Sequence, residues 1–202
     1  MHGKNNRLAL TSPILAVCLA LALFSLACSG SHSVLEKTAS SKPAAPSTKE
    51  LKDFDVKMLD AEAIKLSALR AKGKVLVVDF WATWCGPCRQ EIPHLVALQN
   101  EYRDKGVEVI GLSIENPAAD AEKVRTFAKE FAINYQLGFS TYEMFAAFNG
   151  NDPGMAIPQT FIFGRDGNLI EGGHIRGMNP RFMREMLQER IEKALQTSGT
   201  TS

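Results

Sequence analysis

Cysteine is scarce: four occur in 202 residues, and two of these fall outside any folded core. Cys18 lies inside an N-terminal apolar run and Cys28 at its edge, which leaves Cys85 and Cys88. A framework of structural disulfides and a four-ligand zinc site are therefore excluded for this chain alone. An excess of charge of either sign is also missing, since 23 Lys and Arg stand against 22 Asp and Glu. That balance gives no sign of a nucleic-acid surface, so no nucleic-acid partner is expected. No internal repeat is present. With 45% hydrophobic and 22% charged residues, the composition is that of a globular domain and excludes disorder or collagen-like structure as the dominant state.

Acidic residues are absent before Glu36, whereas Lys4 and Arg7 precede an apolar stretch from Ile14 to Ala27. A positive head followed by a short apolar run is a bacterial-type secretory signal. The run is shorter than the roughly 20 residues of a spanning helix, although counting Leu8 to Leu10 leaves an uncleaved anchor open. It ends in Ser25-Leu26-Ala27-Cys28, which resembles the lipobox of bacterial lipoproteins, where the cysteine is lipidated after cleavage. The same residues also satisfy an ordinary cleavage site after Ala27. Residues 1–28 thus read as a signal peptide, lipoprotein leader or anchor, with Cys28 the candidate lipidation site. Residues 29–50, rich in Ser, Pro, Ala and Lys, read as a flexible tether reaching on the order of 25 Å. Residues 51–196 are expected to form one domain and 197–202 a disordered tail. The expected location is the cell envelope, periplasm-facing and held to the membrane by lipid or anchor.

Within the domain, Phe54, Val56 and Met58 alternate with Asp55 and Lys57, the period of a half-buried strand. Val75-Leu76-Val77-Val78-Asp79-Phe80-Trp81 is nearly all apolar and fits a central strand buried on both faces. A helix is predicted from about Cys85 to Lys105, with Cys88, Ile92, Leu95 and Tyr102 on one side and a kink at Pro93. Residues 107–113 form a second buried strand. Asn116-Pro117 is expected to cap a helix whose stripe is Ala121, Val124, Phe127, Ala128 and Phe131. Strand, helix, strand implies a right-handed parallel crossover. A short strand at 135–137 and a short helix at 141–148, ended by Gly150, come next. A hairpin joins 160–163 to 169–174, and a closing helix after Asn179-Pro180 turns Phe182, Met186, Leu187 and Ile191 inward. The sum is an α/β fold on a mixed central sheet flanked by helices.

Trp84-Cys85-Gly86-Pro87-Cys88 falls where the central strand gives way to a helix. A thiol at a helix N-terminus faces free backbone N–H groups and the positive end of the helix dipole, which favours its thiolate and makes Cys85 the expected nucleophile. Cys88, one turn on and deeper, is placed to resolve a mixed disulfide. Pro87 suits the first helical turn. Asp79 shares a strand face with Val75, Val77 and Trp81, an apolar setting that raises a carboxylate's pKa. It reads as the general base for Cys88, or more blandly as a buried acid tied into the fold. Trp84 suggests a hydrophobic docking surface. His94, His174 and Met155 read as surface or packing residues, and Glu91, from spacing alone, as a solvated one.

The run from Phe80 to Pro93 resembles the active-site helix of thioredoxin-fold proteins of the TlpA/ResA type, and the similarity extends over about 54–195. The resemblance implies a thioredoxin fold with an N-terminal strand extension and a central insert, at 116–148, that shapes partner choice. It matches Ile157-Pro158-Gln159-Thr160-Phe161 to a segment whose cis-proline faces the dithiol, which makes Pro158 the expected cis residue. Ile157 and Pro158 then join Trp84, Gly86 and Pro87 in contacting substrate. It also places Glu91 near the site, beside the catalytic Cys85, Cys88 and Asp79. Two departures touch specificity: Ala156-Ile157 where many relatives show Gly-Val, and Gly164 where many show Asp. The implied activity is reduction of disulfides in exported proteins, such as apocytochrome c or copper-site cysteines, with electrons from a membrane thiol-relay protein. No cofactor or metal is expected. A disulfide oxidase or isomerase, and a copper-binding chaperone using Cys85 and Cys88, remain open as alternatives. A peroxidase lacks its separate Thr-x-x-Cys motif.

Overall fold

The computed structural model describes residues 53–70, 73–150, 154, 156–177 and 179–198. The expected leader with Cys28, the tether, Met155 and the tail from residue 199 lie outside the described residues.

Alternation sets the first strand, β1 (Asp55–Met58), which turns Val56 and Met58 inward. β2 (Ile64–Lys65) pairs with it antiparallel, and the short helix α1 (Leu66–Arg70) follows. β3 (Val75–Trp81) is buried at every position. It leads into α2 (Gly86–Tyr102), a single turn of 3-10 helix at Arg103–Lys105, and β4 (Val107–Ser113). Then come α3 (Ala121–Glu130), β5 (Gln136–Phe139), α4 (Tyr142–Phe148), β6 (Gln159–Phe163) and β7 (Leu169–Arg176). A 3-10 turn, Pro180–Phe182, precedes α5 (Met183–Leu195). The sheet order is β2-β1-β5-β4-β3-β6-β7. Its centre, β5-β4-β3, is parallel and its outer pairs are antiparallel, as a mixed sheet requires. β7 slips register against β6 between Phe161 and Phe163, where Gly172 takes φ +72°.

Because side chains alternate along a strand, the two faces of β3 feed different cores. Leu76, Val78 and Phe80 pack on one face with α1 and α4, where the ring of Phe80 lies 5.0 Å from those of Phe145 and Phe148. Val75 and Val77 pack on the other face with α2 and α5, and Trp81 meets Ile92, Val124 and Phe127 there. Each such side chain contributes about 1.5–3 kcal/mol by leaving water.

Four sequence expectations change in detail. α2 begins at Gly86 with Cys85 as its cap and ends at Tyr102, with a 3-10 turn over Arg103–Lys105 in place of its last residues. Pro93 and Arg89 are both exposed, so the carbonyl that loses its donor lies on the solvent side. α3 starts at Ala121, not beside Asn116, because Asn116 Oδ1 first accepts the N–H groups of Ala118 and Ala119 and closes a separate turn. Phe182 is 58% exposed instead of inward. The 3-10 turn, with three residues per turn, shifts the phase, so that Met183, Leu187, Ile191 and Ala194 are buried. Thr197, assigned to the tail, is tied down: its hydroxyl donates to Ala194 O and accepts from Arg165 N–H. It also explains Gly164, where a Cβ would stand 2.5 Å from Thr197 Oγ1.

Candidate active site

The end of β3 and the start of α2 set the two sulfurs. Cys85 is the N-cap of α2, with extended backbone (φ −82°, ψ 105°), and its Sγ accepts the Cys88 N–H at 3.2 Å. A sulfur here takes the place that Ser or Asp takes in other helices, beside donors that have no partner inside the helix. The two cysteines are joined as a disulfide, with Cα atoms 5.3 Å apart. Cys88 is fully buried and Cys85 nearly so, while Trp84, Gly86 and Pro87 are exposed around them. The Ile157–Pro158 peptide bond is cis. Ile157 packs on the cluster that contains Cys85 and Cys88, and Pro158 is buried.

Two buried acids flank the dithiol in sequence, one on β3 and one on α2. Asp79 and Glu91 are both buried, at 1% and 2% exposure, so Glu91 does not occupy the solvated position its spacing alone suggests. Thr160, the cross-strand neighbour of Asp79 on β6, sits between them. A hydroxyl has one proton, and the 2.6 Å bond from Thr160 Oγ1 to Glu91 Oε1 commits it to Glu91. Asp79, although close to the same hydroxyl, has no donor among the described residues on either oxygen. Burial, reinforced by the charge of Glu91, raises the Asp79 pKa well above the usual carboxylate range. Burial likewise raises Glu91, and the Thr160 bond opposes it.

A third acid holds the loop. Glu115, after β4, is buried and accepts four hydrogen bonds: from Thr83 N–H at 3.0 Å, Thr83 Oγ1 at 2.6 Å, Ser113 Oγ at 3.1 Å and Lys123 Nζ at 2.8 Å. Burial pushes its pKa up, but these donors outweigh it and the net shift is downward. Thr83 is thereby fixed two residues before Cys85. On the opposite side Gln159 Nε2 donates to Ala156 O at 2.7 Å, while its Oε1 meets His174 Nε2 at 2.8 Å, which steadies the chain before Pro158. The ring of His174 stacks on Phe161, so it packs as expected. A groove of about 420 Å³ runs from Trp84 along α3, lined by Arg89, Lys123, Phe127 and Glu130.

The structure therefore brings Cys85, Cys88 and Ile157 into one cluster, and sets Asp79 and Glu91 together around Thr160. Sequence reasoning missed Thr160, Glu115 and Gln159. A lone acid marks Asp79 within an apolar strand, and a similar signal stands at Glu115 just after β4; the other two carry no signal until strand pairing is known.

A dithiol at a strand-to-helix junction of this sheet serves disulfide exchange, and the class is that of the thioredoxin-fold thiol–disulfide oxidoreductases. Residues 48–171 match the AhpC/TSA family, and the chain belongs to it. It is 34% identical over 135 residues to the thioredoxin-like protein YneN of Bacillus subtilis, covering 67% of this chain and 75% of that one. It is 31% identical over 149 residues to a thiol-disulfide oxidoreductase ResA of Bacillus cereus, covering 73% of this chain and 76% of that one. A crystal structure of a thiol:disulfide interchange protein from Chlorobium tepidum TLS superposes with a TM-score of 0.57 at 29% identity, covering 71% of this chain and 93% of that one. The chain is a thiol–disulfide oxidoreductase, and its substrates contain disulfides.

Proposed function

We propose that the protein reduces disulfides of exported proteins, with Cys85 attacking and Cys88 resolving. The observation that carries this reading is the position of Cys85 Sγ as cap of α2, facing the Cys88 N–H, while Cys88 is buried one turn deeper. In the reduced protein the Cys85 thiolate attacks a substrate disulfide, forms a mixed disulfide and releases one substrate thiolate. Cys88 then gives its proton to the Asp79–Glu91 pair and attacks Cys85 Sγ. The Cys85–Cys88 disulfide forms, the second substrate sulfur leaves as thiolate, and two electrons have passed to substrate. Trp84, Gly86, Pro87, Ile157 and Pro158 form the contact surface, and the groove along α3 selects the partner.

Apocytochrome c and copper-site cysteines are the proposed substrates, and a membrane thiol-relay protein the electron donor. Export rests on the N-terminal signal, and tethering on Cys28 or an uncleaved anchor with residues 29–50 as spacer. Titration of the Cys85/Cys88 couple against defined thiol buffers, followed by Trp84 fluorescence, tests the direction. A potential near or below thioredoxin's, about −270 mV, is expected; one near that of DsbA, about −120 mV, makes the protein a disulfide oxidase.

A further inference from the structure

Among the described residues, four of the buried polar atoms without a hydrogen-bond partner belong to three neighbouring side chains. They are both carboxylate oxygens of Asp79, Nε1 of Trp81 and Oη of Tyr135. Asp79 and Trp81 share one face of β3, Gly111 is the cross-strand neighbour of Asp79 on β4, and Tyr135 leads into β5. Gly111 draws the others together. A Cβ at that position would stand 2.9 Å from Trp81 Nε1 and 3.2 Å from Tyr135 Cε2, so the missing side chain lets indole and phenol close over the backbone next to Asp79.

Buried polar atoms in native proteins are paired, with ordered water where no protein group serves, and such a water takes two to four polar neighbours. The three groups are complementary. The indole N–H only donates, an ionised carboxylate only accepts, and the phenol does either. The ring of Tyr135 also lines a groove of about 560 Å³ between α3 and the ends of β1 and β5, together with Leu59, Arg125, Ala128 and Ile133. Its hydroxyl is buried within electrostatic reach of Asp79 and Glu91 while the residue lines the groove, so the ring stands between the two.

Resting on the reading that Asp79 takes the Cys88 proton, we propose that Tyr135 is its positioning residue. The ring seals the buried acids from the groove, and the hydroxyl, with the Trp81 N–H and a shared internal water, supplies the hydrogen bonds an ionised Asp79 needs. The groups around Asp79 are Glu91 from α2, the Thr160 hydroxyl from β6, and Tyr135. The Thr160 proton goes to Glu91 at 2.6 Å and Glu91 repels a charge on Asp79, so the unpaired donors of this group are the Tyr135 hydroxyl and the Trp81 N–H. Tyr135 itself stays protonated: burial first, then the charges of Asp79 and Glu91, push its pKa well above that of a free phenol.

Two substitutions separate the seal from the donor, because they move Asp79 in opposite directions. Tyr135→Phe keeps the ring and deletes the hydroxyl, and raises the apparent pKa of Asp79 by about one unit, the worth of one hydrogen bond to a charged group. Tyr135→Ala admits water from the groove and lowers it. The measurement is the titration of the Asp79 carboxyl carbon by ¹³C NMR, assigned with Asp79→Asn, alongside the pH profile of mixed-disulfide resolution by stopped flow. A carboxyl titration unmoved in Tyr135→Phe, or moved the same way in both variants, overturns the inference. Opposite shifts with a rate profile that does not follow them uphold the role of Tyr135 and sink the base role of Asp79 instead. If Tyr135→Ala does not fold, the Phe variant alone decides.

Discussion

Removing Glu115 by Glu115→Ala takes away one carboxylate that receives four hydrogen bonds, and the cost follows from what each donor does next. The Thr83 N–H and hydroxyl are in a loop residue only 5% exposed, and both lose their acceptor. A buried donor left unpaired costs about 1–3 kcal/mol. Ser113 is fully buried and also loses an acceptor, whereas Lys123 is half exposed and returns to water. The donors shared a single acceptor, so their costs do not add in full, and the sum comes to about 3 kcal/mol. For a domain of this size that lowers Tm by about 6–12 °C. Urea unfolding of the oxidised protein, with the midpoint lowered and the slope unchanged, is the assay. The sign with pH is fixed as well. The Glu115 pKa is lowered on folding, so the charge-linked part of its contribution is complete above the unfolded pKa and is lost as pH falls through the folded one, and the gap between parent and variant narrows in acid. A variant within about 0.5 kcal/mol of the parent at neutral pH, the range of an ordinary surface change, refutes the idea that Glu115 fixes the loop.

Asp79→Asn acts in the opposite sense. Folding raises the Asp79 pKa, so the native state keeps a proton that the unfolded chain has lost, and stability falls as pH rises from about 4. The Asn variant is therefore more stable than the parent by about 1–3 kcal/mol at pH 8 and equal to it near pH 4, which urea midpoints at the two pH values measure. Cys88→Ala leaves Cys85 able to attack but not to be released, so mass spectrometry shows a stable mixed disulfide with a model disulfide peptide, while Cys85→Ala gives none. Gly111→Ala sets a methyl 2.8 Å from Leu137 Cδ2 and 2.9 Å from Trp81 Nε1 and costs about 1–3 kcal/mol, visible as a lowered thermal midpoint.

Much of the fold is written in local pattern. The apolar run of β3, the alternation of β1 and the stripe of α3 each state their environment within a few residues. Boundaries were harder where a side chain competes with the backbone, as Asn116 does before α3, or where a 3-10 turn resets the phase, as before Phe182. The site divides along the same line. Cys85 and Cys88 are legible because strand, turn and helix are contiguous there, and Asp79 because a lone acid interrupts an apolar run. Glu91 looks solvated on its helix, since nothing in its own neighbourhood reveals that β6 will cover it. Thr160, Gln159 and Tyr135 matter through partners tens of residues away, a relation that strand register creates and spacing does not contain.

The slipped register of β7 bears on how the sheet ends. A long straight edge strand invites another chain to extend the ladder. Here one edge is the two-residue β2, and the other bends at Gly172 and carries Glu171 tied to Lys193 at 2.9 Å. Both margins are poor templates for further copies of the same protein. The substrate contact proposed at Ile157 is thereby left without a rival at the rims of the sheet.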